Sequence, residues 1–324
     1  MPPHALITGL FLIALTFSVS LAHAQEKSWP IWLEEFKTEA RQKGISEQTL
    51  NVALFNVQPN DQIVKLDRKQ PEGRLSWTQY VNSIVAGTRI TNGRANYVSH
   101  ADLLAKVSAR YKVQPQFIVA LWGIETNYGA YTGNYSIIES LATLAYEGRR
   151  AELFRAELLA ALQMIETKKA EANEMVGSWA GAMGQTQFMP SSYLKFAQDW
   201  DKNGHADIWK SEPDAFASIA NYLHESGWNG ELTWGYQVNL PAGFNPEWAD
   251  LYKSRTVGEW TKMGVTRADG APLPSADTPV YVMYPGSNTE AAYAVTQNYH
   301  VLLQWNRSRY FATSVGLLSD RISH

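Results

Sequence analysis

From residue 29 onward, apolar residues recur mostly at helical spacing. Trp32, Phe36 and Ala40 repeat every four residues, and Ile45-Ser46-Glu47 opens a second helix that runs to Leu54, as expected of helices that hide one face. Residues 56–74 carry Pro59, Pro71 and several charges and read as a connecting loop. Residues 75–90 and 101–111 return to helical spacing. Gln114-Pro115-Gln116 then starts a short helix in which Phe117 to Ile124 are apolar on every side, the mark of a buried helix. It stops at Glu125, and Asn127, Gly129 and Gly133 open the loop that follows.

Residues 137–169 are again helical, with Leu153, Phe154, Leu158, Leu162 and Ile165 on one stripe. Residues 177–190 form a glycine-punctuated loop. Residues 214–227 form a helix that ends on Glu225-Ser226-Gly227, a glycine stop. Between 232 and 301 Pro and Gly become frequent and β-prone pieces such as Val280-Tyr281-Val282-Met283-Tyr284 occur, before helical spacing returns at 310–322. The pattern predicts a mainly α chain with a small β-containing insert (α+β). Its expected parts are an N-terminal helical region (25–100), a core (101–229), the insert (230–293) and a C-terminal segment (294–324).

Composition narrows the function. The chain is 45% hydrophobic and only 18% charged, with 12 Trp, 16 Tyr and 11 Phe, which excludes a disordered chain. A net charge of −3 gives no reason to expect nucleic acid as partner. The aromatic content suits sugar faces, although most of these rings must serve the core. Cysteine is absent, so disulfides, thiolate metal sites, thiol nucleophiles and a lipid-modified N-terminal Cys are all excluded. Residues 5–21 are mostly apolar and precede Ala22-His23-Ala24, which reads as an export signal cut after residue 24. No Lys or Arg precedes the run, and an uncleaved membrane anchor is the alternative. Cleavage would leave a soluble periplasmic protein.

A carboxyl at the end of a buried apolar helix is costly to ionise and stays protonated near neutrality. A glycosidase needs such a group to protonate the leaving oxygen. On placement alone, a hydrogen-bonding residue at a helix end is the commoner reading of Glu125. The other acids nearby, Glu139, Glu147, Glu152, Glu157 and Glu166, fall on helical surfaces and are expected to be solvated.

Two strings add specificity: Ile124-Glu125-Thr126-Asn127-Tyr128-Gly129, and the run from Gly177-Ser178-Trp179-Ala180-Gly181-Ala182-Met183-Gly184 through Gln187-Phe188-Met189-Pro190-Ser191. Together they resemble the lytic murein transglycosylases of the membrane-bound B type, over about residues 70–222 and again 298–322. The resemblance implies a lysozyme-like catalytic core that cuts between N-acetylmuramic acid and N-acetylglucosamine in peptidoglycan glycan strands. It further implies that Glu125 is the single acid/base, that Ser178 orients it, and that Tyr80, Gln187, Tyr222, Trp305, Asn306 and Tyr310 bind substrate. Trp305 stands where that family commonly has Tyr. No cofactor is implied for catalysis. The family chemistry closes a 1,6-anhydro ring on the muramic residue; the residues alone do not distinguish this from hydrolysis, nor Tyr80, Tyr222 and Tyr310 from core aromatics.

Asp199-Trp200-Asp201-Lys202-Asn203-Gly204-His205 places oxygens at positions 1, 3 and 5 of a calcium-type loop, with Gly at position 6. Lys210 stands at position 12, where such loops have Glu, so the last carboxylate would come from Asp214; the His205 main-chain carbonyl would serve at position 7. The expected ion is a structural Ca2+, and the alternative is a plain solvated turn. A monomer is expected, with cell-wall synthesis or remodelling proteins as possible partners. Rival functions are a hydrolytic muramidase, a non-catalytic peptidoglycan-binding protein and a calcium-responsive protein.

Overall fold

The computed structural model describes residues 27–69, 75–147 and 149–323. The expected export signal at 1–24 lies outside them. Among the described residues there are fourteen α-helices and seven short strands, and no helix is long and apolar enough to cross a membrane. The chain is thus mainly α with a small sheet.

The central element is the helix Pro115–Thr126. Pro115 opens it at a position where the missing N–H costs nothing. Phe117 to Gly123 are buried without a gap, because the helices Gly87–Ser99, Ala101–Tyr111, Glu212–Glu225 and Arg309–Ile322 surround it. Asn127 ends it in the left-handed conformation, φ 51°, which Asn tolerates better than most residues. Tyr128 and Gly129 continue with φ 63° and 79°, so three successive residues reverse the chain just after Glu125. The Tyr128 ring then lies back over two helical glycines. A Cβ on Gly93 or on Gly123 would stand 2.5 Å from Tyr128.

The N-terminal helices have no core of their own. Trp29, Phe36, Leu50 and Ile63 pack with Ile138, Leu158, Leu162, Met183 and Phe188 from the middle of the chain. Trp77 instead joins the core around Pro115–Thr126, with Trp234, Tyr299 and Val315.

The insert holds an antiparallel five-stranded sheet in the order Arg255–Thr256, Pro279–Met283, Ala292–Val295, Gly235–Asn239, Thr266–Arg267. Side chains alternate across its strands. Val280, Val282, Ala292 and Ala294 face a small core around Trp260, whereas Met283, Tyr293 and Val295 join the helical core. One face of the sheet therefore fastens the insert to the body.

Several sequence expectations are corrected. The loop read at 56–74 contains the helix Asp61–Arg68, capped by the Asn60 side chain, which accepts the Gln62 N–H; buried Ile63 and Asp67 anchor it. The stretch at 137–169 is two helices, Ile137–Glu147 and Ala151–Glu166. Leu153, read as part of the buried stripe, is 51% exposed. The stretch at 75–90 is likewise split, into Trp77–Ile84 and the start of Gly87–Ser99.

Candidate active site

Glu125 keeps a partly exposed surface at the end of its helix. The protein packed around it pushes its pKa up to about 7, against a hydrogen bond from Trp305 that pulls the other way. The Trp305 Nε1–H donates to Glu125 Oε1 at 2.6 Å. Among the described residues no second carboxylate enters the electrostatics of Glu125. The acid is isolated, and burial holds its pKa well above the ordinary carboxylate range.

The raised pKa has a consequence for stability. Below the ordinary glutamate range both folded and unfolded chains hold the proton, and burial costs nothing. Above it the unfolded chain releases the proton while the folded one resists, so stability falls as pH rises through about 7. The loss is on the order of 2–3 kcal/mol. Glu125→Gln cannot ionise, so its melting temperature is expected to exceed wild type by several degrees at pH 8 but not at pH 4.5. A gap that is the same at both pH values would mean that Glu125 is freely solvated.

Four of the five nearby acids are not free surface groups, a correction to the sequence reading. Glu157 is buried and accepts both the N–H and the hydroxyl of Ser191, at 2.9 and 2.6 Å, capping the helix Pro190–Phe196. Glu139 accepts from Asn60 and Glu166 from Ser46, while Glu147 pairs with Arg68. Each is tied to structure.

The glycine loop stands beside the acid. Val176–Gly177 pairs antiparallel with Tyr135–Ser136, and Met183 bridges to Gly177 and to Phe188. Gly181 and Gly184 hold left-handed turns at φ 92° and 60° where Leu141 and the Ile208 carbonyl leave no room for a side chain. Ser178, expected to orient Glu125, is engaged within its own loop. Its Oγ accepts the Ala182 N–H at 3.0 Å and closes the turn of the loop. Among the described residues only Trp305 donates to the Glu125 carboxyl.

The predicted sugar-binding residues separate into two groups. Tyr80 and Tyr310 lie ring against ring at 5.5 Å, and the Glu125 charge reaches the Tyr80 hydroxyl, raising its pKa together with burial, the larger cause. The Tyr310 ring also lies against Trp77 at 5.3 Å. The Tyr222 hydroxyl instead donates to the Gln304 carbonyl at 2.8 Å, and its ring packs edge-on to Trp305 at 4.7 Å. Asn306 accepts the Ser308 N–H and leads into the last helix. Gln187, itself at φ 50°, donates through Nε2 to the carbonyls of Thr132 and Gly184 at 3.1 and 2.9 Å. Its amide hydrogens brace the loop, and only Oε1 is left to accept from a sugar.

Sequence reasoning missed Gln185, two residues earlier. It is buried and accepts the Trp122 indole N–H at 2.8 Å, and the Thr126 hydroxyl is shared between the Trp122 and Gln185 carbonyls, at 3.1 and 3.3 Å. Thr126 in turn accepts the Gly129 N–H at 3.0 Å. This chain of bonds locks the end of the helix that carries Glu125. The signal was a second Gln in Gly184-Gln185-Thr186-Gln187, which spacing alone does not rank.

At the loop after Phe196, carboxylate oxygens of Asp199, Asp201 and Asp214 lie within 4.8 Å of one another. Asp214 is buried. Burial first, and then the charges of Asp201 and Asp199, raise its pKa, against N–H donors at Trp200 and Asp207. Asn203 turns its Oδ1 to the His205 N–H and its amide to Asp201.

Residues 28–320 match the family model described as "Transglycosylase SLT domain". The chain is 28% identical over 302 residues to membrane-bound lytic murein transglycosylase B of Escherichia coli (strain K12), covering 86% of this chain and 79% of that one. Its fold matches SltB3 from Pseudomonas aeruginosa, solved in complex with NAG-anhNAM-pentapeptide, at a TM-score of 0.87 and 42% identity, covering 92% of this chain and 80% of that one. It also matches the Escherichia coli lytic transglycosylase SLT35 in complex with calcium, at 0.74 and 27%, covering 90% and 92%. The neighbours are lysozyme-like lytic transglycosylases, and this chain belongs to the SLT-domain transglycosylases as a peptidoglycan lytic transglycosylase.

Proposed function

We propose that Glu125 alone moves the proton in both halves of the reaction at the β-1,4 bond between N-acetylmuramic acid and N-acetylglucosamine. In its protonated form it donates to the leaving glycosidic oxygen as the bond to C1 breaks. As carboxylate it then takes the proton of the muramic C6 hydroxyl, whose oxygen bonds to C1 and closes the 1,6-anhydro ring. Glu125 ends protonated as it began, and no water is consumed. The observation that carries this reading is the isolation of the acid. Its pKa of about 7 suits it to give and to take a proton at neutral pH, and a substrate that supplies its own nucleophile has no use for the second carboxylate of a two-acid glycosidase. The anhydro sugar bound to the similar SltB3 supports the same product. Mass spectrometry of muropeptides released from purified sacculi tests it. Anhydro ends are expected, whereas reducing ends would make the enzyme a hydrolytic muramidase.

Tyr80 and Tyr310 are proposed to cover sugar faces, with Gln187 Oε1 accepting from a hydroxyl. Peptidoglycan as substrate supports a periplasmic site of action, and a monomer suffices because the described chain supplies acid and wall together.

Asp199, Asp201 and Asp214, with the Asn203 side chain and the His205 carbonyl, are proposed to hold a structural Ca2+. Converging carboxylates with raised charge repulsion suit a hard cation, and the similar SLT35 was solved with calcium. Ligand binding to the folded state alone stabilises by mass action, about 2.7 kcal/mol at a hundred times Kd. Millimolar calcium is therefore expected to raise the melting temperature of wild type and leave Asp199→Ala/Asp201→Ala unmoved. No shift in wild type would make the loop a plain turn.

A further inference from the structure

We infer that Trp305 is a positioning residue that assigns separate tasks to the two oxygens of Glu125: its indole holds Oε1 as a fixed acceptor, so the transferable proton rides on Oε2. The inference rests on the reading of Glu125 as acid/base. An indole N–H is donor only and does not titrate near neutrality. It can approach Oε1 at 2.6 Å only where that oxygen presents a lone pair. A carbonyl oxygen is a better acceptor than a carboxyl hydroxyl, so when Glu125 is protonated the indole favours the hydrogen on Oε2, which accepts no bond from any described residue.

The donor is held firmly. Trp305 is the last residue of the helix Gln297–Trp305, and its ring lies between Phe188, at 5.4 Å, and Tyr222, at 4.7 Å. The Tyr222 hydroxyl grips the neighbouring Gln304 carbonyl, and the Asn306 N–H closes on Leu302 at 3.0 Å. Tyr222 thereby acts through Trp305. The sequence pattern assigned both residues to substrate.

The bond also works on the charge. A hydrogen bond to a carboxylate is stronger than one to a neutral acid, so Trp305 favours the ionised form while burial opposes it. The other titratable groups here are phenols: Tyr80, which feels Glu125 and Arg89, Tyr222 against Trp305, and Tyr310 against Tyr80, facing Glu290. No charged side chain among the described residues replaces Trp305 in setting the Glu125 proton.

The test replaces Trp305 with benzothienylalanine, in which sulfur takes the place of the N–H at nearly unchanged shape, and separately makes Trp305→Phe. Glu125 is titrated by carboxyl 13C NMR in the free protein, its resonance assigned as the one lost in Glu125→Gln. In parallel, kcat and KM for anhydromuropeptide release are followed against pH. Loss of a charge-assisted bond is expected to move the Glu125 titration, and with it the alkaline limb of kcat, upward by about one pH unit or more. At pH 6 kcat is expected to fall roughly tenfold, with KM within about twofold of wild type. An unchanged titration and limb, with KM raised tenfold, would overturn the inference and leave Trp305 a sugar platform. If Glu125→Gln stays active, the acid/base reading fails, while the NMR titration still decides whether Trp305 controls the Glu125 proton.

Discussion

Glu125→Gln is expected to lower kcat on sacculi by about 10²–10⁴-fold or more while leaving fold and glycan affinity near wild type. The amide matches the carboxyl in size, and its carbonyl still accepts from the Trp305 indole. It has no proton to give to a leaving oxygen and cannot remove one from the C6 hydroxyl. Both halves of the reaction are lost together, because no second carboxylate enters the electrostatics of Glu125 among the described residues. Release of anhydromuropeptides, read with circular dichroism and with binding of inert glycan strands, checks the result. Activity within about threefold of wild type would remove Glu125 from the chemistry.

The acid was legible in the sequence because two local signals meet on it. An apolar helix with no polar side predicts burial, and Glu125 is the first ionisable residue at its end. Burial then predicts the direction of the pKa shift, which the structure shows. The orienting partner was not legible. It lies 180 residues away, at Trp305, and periodicity carries no information about contacts across the chain. Ser178 was the natural expectation from its motif, but a hydroxyl flanked by glycines can equally close its own turn, and here it does, onto Ala182.

The same division holds for the fold. Helices with one apolar stripe, such as Trp29–Gln42 and Arg309–Ile322, were readable from their spacing. The helix Asp61–Arg68 was not, because Pro59 and a run of charges hid it. Its stability comes from tertiary partners: Asp67 is buried and takes ion pairs from Arg149 and Arg150, each at 2.5 Å. Glu157 misled for a related reason. Its helix position is the same as that of a solvated acid, and only the arrival of Ser191 makes it a cap.

Gly133→Ala is expected to cost about 3–4 kcal/mol, lower the melting temperature by roughly 10 °C and lose most activity. Gly133 sits at φ 88°, and an added Cβ would stand 2.1 Å from the Gly177 carbonyl oxygen and 2.7 Å from the Ser178 nitrogen. Those are backbone atoms, held by the pairing of Tyr135 with Gly177, and cannot turn aside as a side chain does. Left-handed backbone with a Cβ costs about 1–2 kcal/mol, and forcing packed segments apart adds roughly 1–3. The displacement falls on the loop that carries Ser178 and on Thr132, whose carbonyl anchors Gln187, so the wall beside Glu125 loses its shape. Gly44→Ala separates the two costs: Gly44 has the same left-handed backbone, φ 87°, with nothing within 4 Å of the new Cβ. That control is expected to lose only about 1–2 kcal/mol and to keep full activity. If Gly133→Ala melts and turns over like Gly44→Ala, the close approach of residue 133 to the glycine loop does not shape the active site.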